Sequence, residues 1–264
     1  MSSNIITDKI IETKCYLGGY ISVYSALISN SRKVYTVLFD RARYDKVMKG
    51  KYHLSEKRQY SLLRKACNDK GVTIRFVSFD GKEHDFGNEC GGIAAEVGER
   101  VYTTEAELLA LKNPYLAALD GIEDPYNFGQ VLRSFYASGV DAVIVPKRNF
   151  FTASSIVARA SAGASELMKV CAVEDIEAFC TDLKQNGIKL YATAANDKAL
   201  NVFNVEYKKP LCVIFGGERR GISKKVMERC DATLQIVYPR NVNMALSASS
   251  AAAVIAFEIG RRIN

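Results

Sequence analysis

Three clusters of residues along this 264-residue chain carry groups that could do chemistry, and each also has a plainer reading. The first is Asn127-Phe128-Gly129-x-x-x-Arg133. Gly129 and Arg133 are four apart and share one face of a helix, with Asn127 at its start. An amide and a guanidinium so placed can hold a hydroxyl or an anion; equally, asparagine caps helices and the arginine can be a surface cation. The second is Phe215-Gly216-Gly217-Glu218-Arg219-Arg220-Gly221-Ile222-Ser223, an apolar run entering a glycine-rich turn with one carboxylate. Bare backbone there can meet a ligand's polar edge, or can simply make a tight loop. The third starts at Val237-Tyr238-Pro239 and continues through Ala245-Leu246-Ser247-Ala248-Ser249. A Pro/Asn-rich loop feeds a helix of small residues, which lets a ligand or another chain segment come close.

Each cluster sits where a strand should end. Short β-branched and apolar runs predict strands at Tyr115–Leu119, Ala142–Val145, Met168–Val170, Lys189–Ala192, Leu211–Phe215 and Thr233–Val237. Apolar positions three and four apart predict helices near Gly129–Ser138, Ala153–Ala162, Ile176–Asn186, Lys224–Cys230 and Ser247–Arg262. Such alternation implies an α/β fold with a mostly parallel sheet, whose ligands sit at the carboxyl ends of strands. Neither GxGxxG nor GxxxxGK[ST] occurs, so a dinucleotide or P-loop site has no support. The first hundred residues read as a smaller α/β module. It has a helix at Ile21–Ile28, a strand at Val34–Phe39, a polar loop, a helix at Glu56–Asn68 and strands at Thr73–Val77 and Ile93–Val97. Gly81–Gly92 reads as a loop, and Gly98–Asn113 as a connector with one helical stretch.

Composition narrows the chemistry. No apolar run approaches the ~18 residues of a membrane span, and Met1–Lys14 lacks the pattern of a secretory signal, so a cytoplasmic protein is expected. The seven cysteines include no CxxC pair and read as reduced thiols, and the two histidines lie in polar surroundings. No metal site is expected. Net charge is +7, and residues 1–100 hold 17 Lys+Arg against 12 Asp+Glu. Arg41–Lys65 alone has nine basic residues to two acidic ones, with Tyr44, Tyr52 and Tyr60 interleaved. A basic stripe carrying rings is the footprint of a nucleic-acid surface, although many such runs only keep a face solvated. The candidate contacts are Arg41, Arg43, Lys46, Lys57 and Arg58.

Taken in order, the three clusters resemble the signature of the SpoU (TrmH-like) branch of the SPOUT class, which are S-adenosylmethionine-dependent RNA ribose 2′-O-methyltransferases. The resemblance includes Arg159-Ala160-Ser161-Ala162-Gly163. More weakly, Gly19–Leu27 and Gly91–Val97 are similar to the ends of the ribosomal-protein-L30e-like substrate-binding domain. It implies an L30e-like domain over residues 1–98, a linker over 99–113 and a trefoil-knotted SPOUT domain over 114–264. It also implies a homodimer acting on RNA, ribosomal RNA being favoured over transfer RNA because of the forward domain. Thr193, Gly216, Gly217, Gly221, Val237 and Leu246 would bind S-adenosylmethionine, largely through backbone groups. Asn127, Arg133, Glu218, Ser247 and Ser249 would form the catalytic set. A guanidinium stays protonated, so Arg133 would hold the ribose or a phosphate and stabilise alkoxide charge. Glu218 reads either as proton acceptor or as a structural carboxylate. The sequence departs from the family's Ser-Leu-Asn-Val-Ser in having Ala245 and Ser247. An RNA-binding protein of this fold with weakened or lost activity is therefore the alternative; a tRNA base methyltransferase is a more distant one.

Overall fold

The computed structural model describes residues 15–80, 86, 88–147, 154–217, 220–240 and 244–263. The first part contains β1 (Cys15–Gly18), α1 (Tyr20–Ser29), β2 (Arg32–Asp40), α2 (Arg41–Met48), α3 (Leu54–Lys70), β3 (Thr73–Val77) and β4 (Ile93–Arg100). Its strands form a mixed sheet in the order β1-β4-β2-β3. Then follow α4 (Glu105–Leu109), β5 (Tyr115–Asp120), α5 (Pro125–Ser138), β6 (Ala142–Pro146), α6 (Ser154–Ala160), α7 (Ala164–Leu167) and β7 (Lys169–Val173). The chain continues through α8 (Ile176–Gln185), β8 (Lys189–Thr193), β9 (Leu200–Asn201), β10 (Leu211–Gly216), α9 (Lys224–Arg229), β11 (Ala232–Gln235) and α10 (Ala248–Ile263). These seven strands make a sheet in the order β7-β6-β5-β10-β8-β11-β9, parallel throughout.

The parallel sheet is buried on both faces, and its central strands show why. In β5, Tyr115, Ala117 and Leu119 enter one apolar cluster while Leu116 and Ala118 enter the other. In β10, Leu211, Val213 and Phe215 divide from Cys212 and Ile214 in the same way. A period of two sends alternate side chains to opposite faces, so both helix layers find apolar partners.

Several elements differ from expectation for local reasons. The polar loop after β2 is the helix α2, because Asp40 caps it by accepting from the Arg43 N–H at 2.6 Å. Its stripe of one buried residue, Val47, is too thin to register as amphipathic. The last strand stops at Gln235, so Val237 lies in the loop beyond it. The expected Gly81–Gly92 loop and the helix start at Ala153 fall wholly or partly outside the described residues.

The two sheets are joined through buried contacts. Ala158 of α6 packs in the apolar cluster of the first sheet. Gly163, with φ of +78°, opens α7 where an added Cβ would collide with Ser25 and come within 3.0 Å of Ile21 on α1. Beneath this contact Glu166 is enclosed. Arg32 bonds both its oxygens at 2.9 and 3.1 Å, Ser31 Oγ donates at 2.5 Å, and Arg100 lies 3.6 Å away.

Candidate active site

Strand order creates the site. From β5 the chain proceeds to β6 on one side, while β10 inserts on the other side, between β5 and β8. Helix α5 leaves to one face, burying Phe128, Val131, Leu132 and Phe135, and α9 leaves to the opposite face, burying Val226. The carboxyl ends of β5 and β10 therefore part, and at such a switch point a crevice opens. Here it is a cavity of about 560 Å³. Asp120, Gly121, Glu123, Asp124 and Asn127 line it from the β5–α5 turn, Arg220, Gly221 and Ser223 from the β10–α9 turn, and Ala248 from the start of α10. All three sequence clusters meet there.

In the first cluster the helix begins earlier than expected. Asp124 is the cap, its carboxylate accepting from the Asn127 N–H at 2.8 Å, with Pro125 as the first helical residue. Asn127 is thus not a cap, and it lies half-buried at the cavity wall. Gly129 is buried because α6 needs the space: a Cβ would lie 2.6 Å from that of Ala160 and 2.9 Å from the Val157 oxygen. Arg133 emerges to solvent further along α5 and is not part of the cavity lining.

The glycines of the second cluster hold two loops together. Gly217 N–H donates to Asp120 O at 3.0 Å, and Gly221 N–H to Gly217 O at 2.9 Å. A Cβ on Gly216 would sit 2.5 Å from the Gly221 carbonyl carbon, and one on Gly217 would overlap the Gly121 oxygen. Glu218 lies outside the described residues.

In the third cluster Ser247 caps α10, its Oγ accepting from the Ser250 N–H at 3.2 Å and lying 3.1 Å from Ser249 Oγ. Ser249 is buried, while Val237 and Leu246 are exposed. The Leu246 N–H donates to Tyr238 Oη at 3.1 Å. The small residues further along, Ala252, Ala256 and Gly260, are buried; an added Cβ at Gly260 would strike the Ser138 oxygen of α5. Thr193 ends β8, and its Oγ1 donates to Ile214 O at 3.1 Å. Of the expected cofactor residues, Gly221 lines the cavity; Thr193, Gly216, Gly217, Val237 and Leu246 surround the strand ends without lining it.

Sequence reading passed over Asp120, Glu123, Asp124 and Ser223 as site residues, although the Asp-Gly-Ile-Glu-Asp-Pro turn signalled three carboxylates at a strand end. They make one wall acidic, with Arg220 at the other. Among the described residues no His/Cys/Asp/Glu group is arranged to hold a metal ion, and no helix is long and apolar enough to cross a membrane.

The basic candidates lie on α2 and α3. Lys46, Lys57 and Arg58 are exposed, and the exposed Arg41 stacks 3.8 Å from the Phe76 ring centre. Arg43 is committed inward, 2.9 Å from Glu56 and 4.7 Å from the Tyr52 ring centre. Of the interleaved rings, Tyr60 is buried and donates to the Gly91 oxygen at 3.1 Å. Burial pushes its hydroxyl pKa up. Tyr44 packs edge-on against Tyr60 and Phe76. Only Tyr52 of the three is exposed.

Comparison with known proteins bears on the same residues. The profile of the SpoU rRNA Methylase family matches residues 114–257. A Staphylococcus aureus (strain COL) protein assigned to the TrmH family of tRNA/rRNA methyltransferases is 40% identical over 144 residues, 54% of this chain and 57% of that protein. The chain thus spans little more than half the length of this relative. A Staphylococcus epidermidis protein of the same description is 35% identical over 176 residues, 65% of this chain and 70% of that one. Among solved structures, the SpoU methyltransferase AviRb from Streptomyces viridochromogenes in complex with AdoMet superposes with a TM-score of 0.72 at 19% identity, covering 94% of this chain and 90% of its own. An RNA 2′-O ribose methyltransferase gives 0.71 at 21% identity, covering 95% and 89%. At these identities the likeness is one of fold.

Proposed function

Because the chain belongs to the SpoU rRNA methylase family, we propose that it is an S-adenosylmethionine-dependent RNA ribose 2′-O-methyltransferase, acting on ribosomal rather than transfer RNA. The observation that carries this reading is the meeting of Asn127, Gly221 and the start of α10 at one cavity on the strand switch. Its volume of about 560 Å³ falls in the range of small-molecule sites, and its acidic wall suits a sulfonium cation. Thr193, Gly216, Gly217, Gly221, Val237 and Leu246 would hold the cofactor. The N–H groups of Gly217, Gly221 and Leu246 already donate within the chain, so carbonyl oxygens are the groups these three residues can offer. The cofactor would supply the methyl group on its sulfonium.

The chain's own residues must then present the 2′-hydroxyl in line, near ~3–3.5 Å from the methyl carbon. Asn127 hydrogen-bonds the ribose or orients Arg133. Arg133 holds ribose or phosphate and stabilises the developing alkoxide; as a permanent cation it is a poor base. Glu218 would act as a structural carboxylate in preference to taking the proton. Ser247 and Ser249 order the start of α10 beside the cavity. Because Arg133 lies on an open surface of α5, the reading includes a homodimer in which a second copy completes each site. Exposed Tyr126 and Tyr136 on α5 and Val254 and Phe257 on α10 offer the apolar area for it. It also includes a trefoil knot in the 114–264 domain, an RNA-docking domain over 1–98 and a cytoplasmic location.

Incubating the full chain with radiolabelled S-adenosylmethionine and ribosomal RNA tests the proposal, followed by ribose-methylation mapping of RNA from cells with and without the protein. Transfer to one ribose, missing from the deficient cells, is expected. Retained RNA binding without cofactor binding in calorimetry would overturn it in favour of an inert RNA-binding protein.

A further inference from the structure

The corner between α2 and α3 has no part in the cavity, yet its construction is that of a ligand surface. We propose that Tyr52, with His53 and Leu54, forms a stacking site for an unpaired base of the RNA, an inference that rests on the RNA substrate proposed above. The corner is ordered by its backbone. Gly50, with φ of +76°, ends α2, and the bonds Gly50 N–H to Val47 O and Lys51 N–H to Lys46 O, both 3.0 Å, close it in a Schellman stop. On the other side His53 caps α3, its Nδ1 accepting from the Ser55 N–H at 3.3 Å.

The Tyr52 ring is held ready. One face lies on the Arg43 guanidinium, 4.7 Å from the ring centre. Arg43 cannot swing away easily, being bonded to Glu56 at 2.9 Å and packed so closely on Gly92 that a Cβ there would come within 2.7 Å of its Cδ. Tyr52 as a whole remains 38% exposed, and Leu54, the first residue of α3, is 77% exposed, the most open large apolar residue among those described. Around this apolar step Lys46, Lys49, Lys51, Lys57 and Arg58 are all exposed. From Arg41 to Arg58 there are seven basic residues against Asp45 and Glu56, and Glu56 is engaged by Arg43.

Rings and an aliphatic tip inside a cationic ring suit a polyanion that also offers flat apolar faces. Paired bases hide those faces within the helix, whereas loops and bulges present them. A base laid on Tyr52 would extend a stack already begun by Arg43, and the lysines would meet the flanking phosphates. Every base has such a face, so the site selects unpaired over paired RNA and is tolerant of base identity.

The test compares binding of the full chain to a hairpin RNA with an open loop and to a blunt duplex of equal length, with 2-aminopurine in the loop as a stacking reporter. Tyr52→Ala is expected to weaken hairpin binding about tenfold or more while leaving duplex binding and cofactor affinity unchanged, and to abolish the reporter's quenching. Tyr52→Phe should retain both. Lys57→Ala should weaken both RNAs alike and reduce the salt dependence, the mark of a phosphate contact. Wild-type hairpin affinity and quenching in Tyr52→Ala, alongside intact methyl transfer by the wild type, would overturn the stacking site alone. Failure of the wild type to bind either RNA would overturn the RNA reading with it.

Discussion

Ser247 stands where the resembled signature has asparagine, and its Oγ accepts from the Ser250 N–H. Serine and asparagine are comparable caps, so the departure keeps the start of α10 in place. Ser247→Ala should cost about 1 kcal/mol, seen as a lower melting temperature, while Ser247→Asn should melt as wild type. An unchanged Ser247→Ala melt would mean the cap contributes nothing. Arg133 presents the opposite case, an exposed cation on a well-packed helix. Its removal should change stability by no more than about 0.5 kcal/mol and leave S-adenosylmethionine affinity intact. Methyl transfer, measured in single turnovers, should fall by about a hundredfold or more. Wild-type transfer by Arg133→Ala would remove it from the mechanism. The residue types at both positions were legible in the sequence, and a surface place for Arg133 was one of its two readings; that Ser247 is the cap was not legible.

The strand ends and their turns behave as a unit. Gly217 and Gly121 are in backbone contact, and neither side of that contact is a flexible chain end. Gly217→Ala must therefore separate the ends of β5 and β10, with an expected cost of about 1–3 kcal/mol and weakened cofactor binding by calorimetry. Gly221→Ala is the comparison: its φ of +62° adds strain, but nothing lies within 4 Å of the added methyl. A larger loss in Gly221→Ala than in Gly217→Ala would show that the crowding is relieved cheaply. Glycine content pointed to this turn, but could not distinguish backbone offered to a ligand from backbone occupied by another loop. Elements with strong periodicity, such as β5 and α8, were readable. Helix α2 was not, because its cap at Asp40 defines it more than its thin apolar stripe does.

At the scale of the molecule, Glu166 joins the two sheets by bonding Arg32 at both oxygens, with Ser31 and Arg100 alongside. Glu166→Ala strands buried cations and should cost about 3–5 kcal/mol in urea unfolding. A loss below about 1 kcal/mol would mean that water reaches the cluster. Buried thiols set an alkaline limit. Burial pushes Cys67, Cys171 and Cys180 up to about 11, Cys230 to about 12, and Cys212 well above its ordinary value. The folded chain keeps these protons after the unfolded chain has released them near pH ~8.5. Stability is thus complete below that pH and is lost as pH rises toward the folded values. The urea midpoint should fall between pH 7 and pH 10; an unchanged midpoint would show that these thiols do not ionise on unfolding.

Sequence alone determined the alternation of strands and helices, the parallel sheet and the three clusters, because side-chain periodicity and turn chemistry act over a few neighbouring residues. It could not determine that β10 lies against β5, since that pairing joins segments about ninety residues apart. That adjacency brings the turns carrying Asn127 and Gly221 to one cavity and occupies Gly217 with packing against Gly121, whereas the Asp124 cap of α5 and the crowding of Gly216 by Gly221 are local. That Tyr60 is buried and Tyr44 half-buried beside the exposed Tyr52 was likewise decided in three dimensions, because which face of a basic helix meets the core depends on what the chain brings to it.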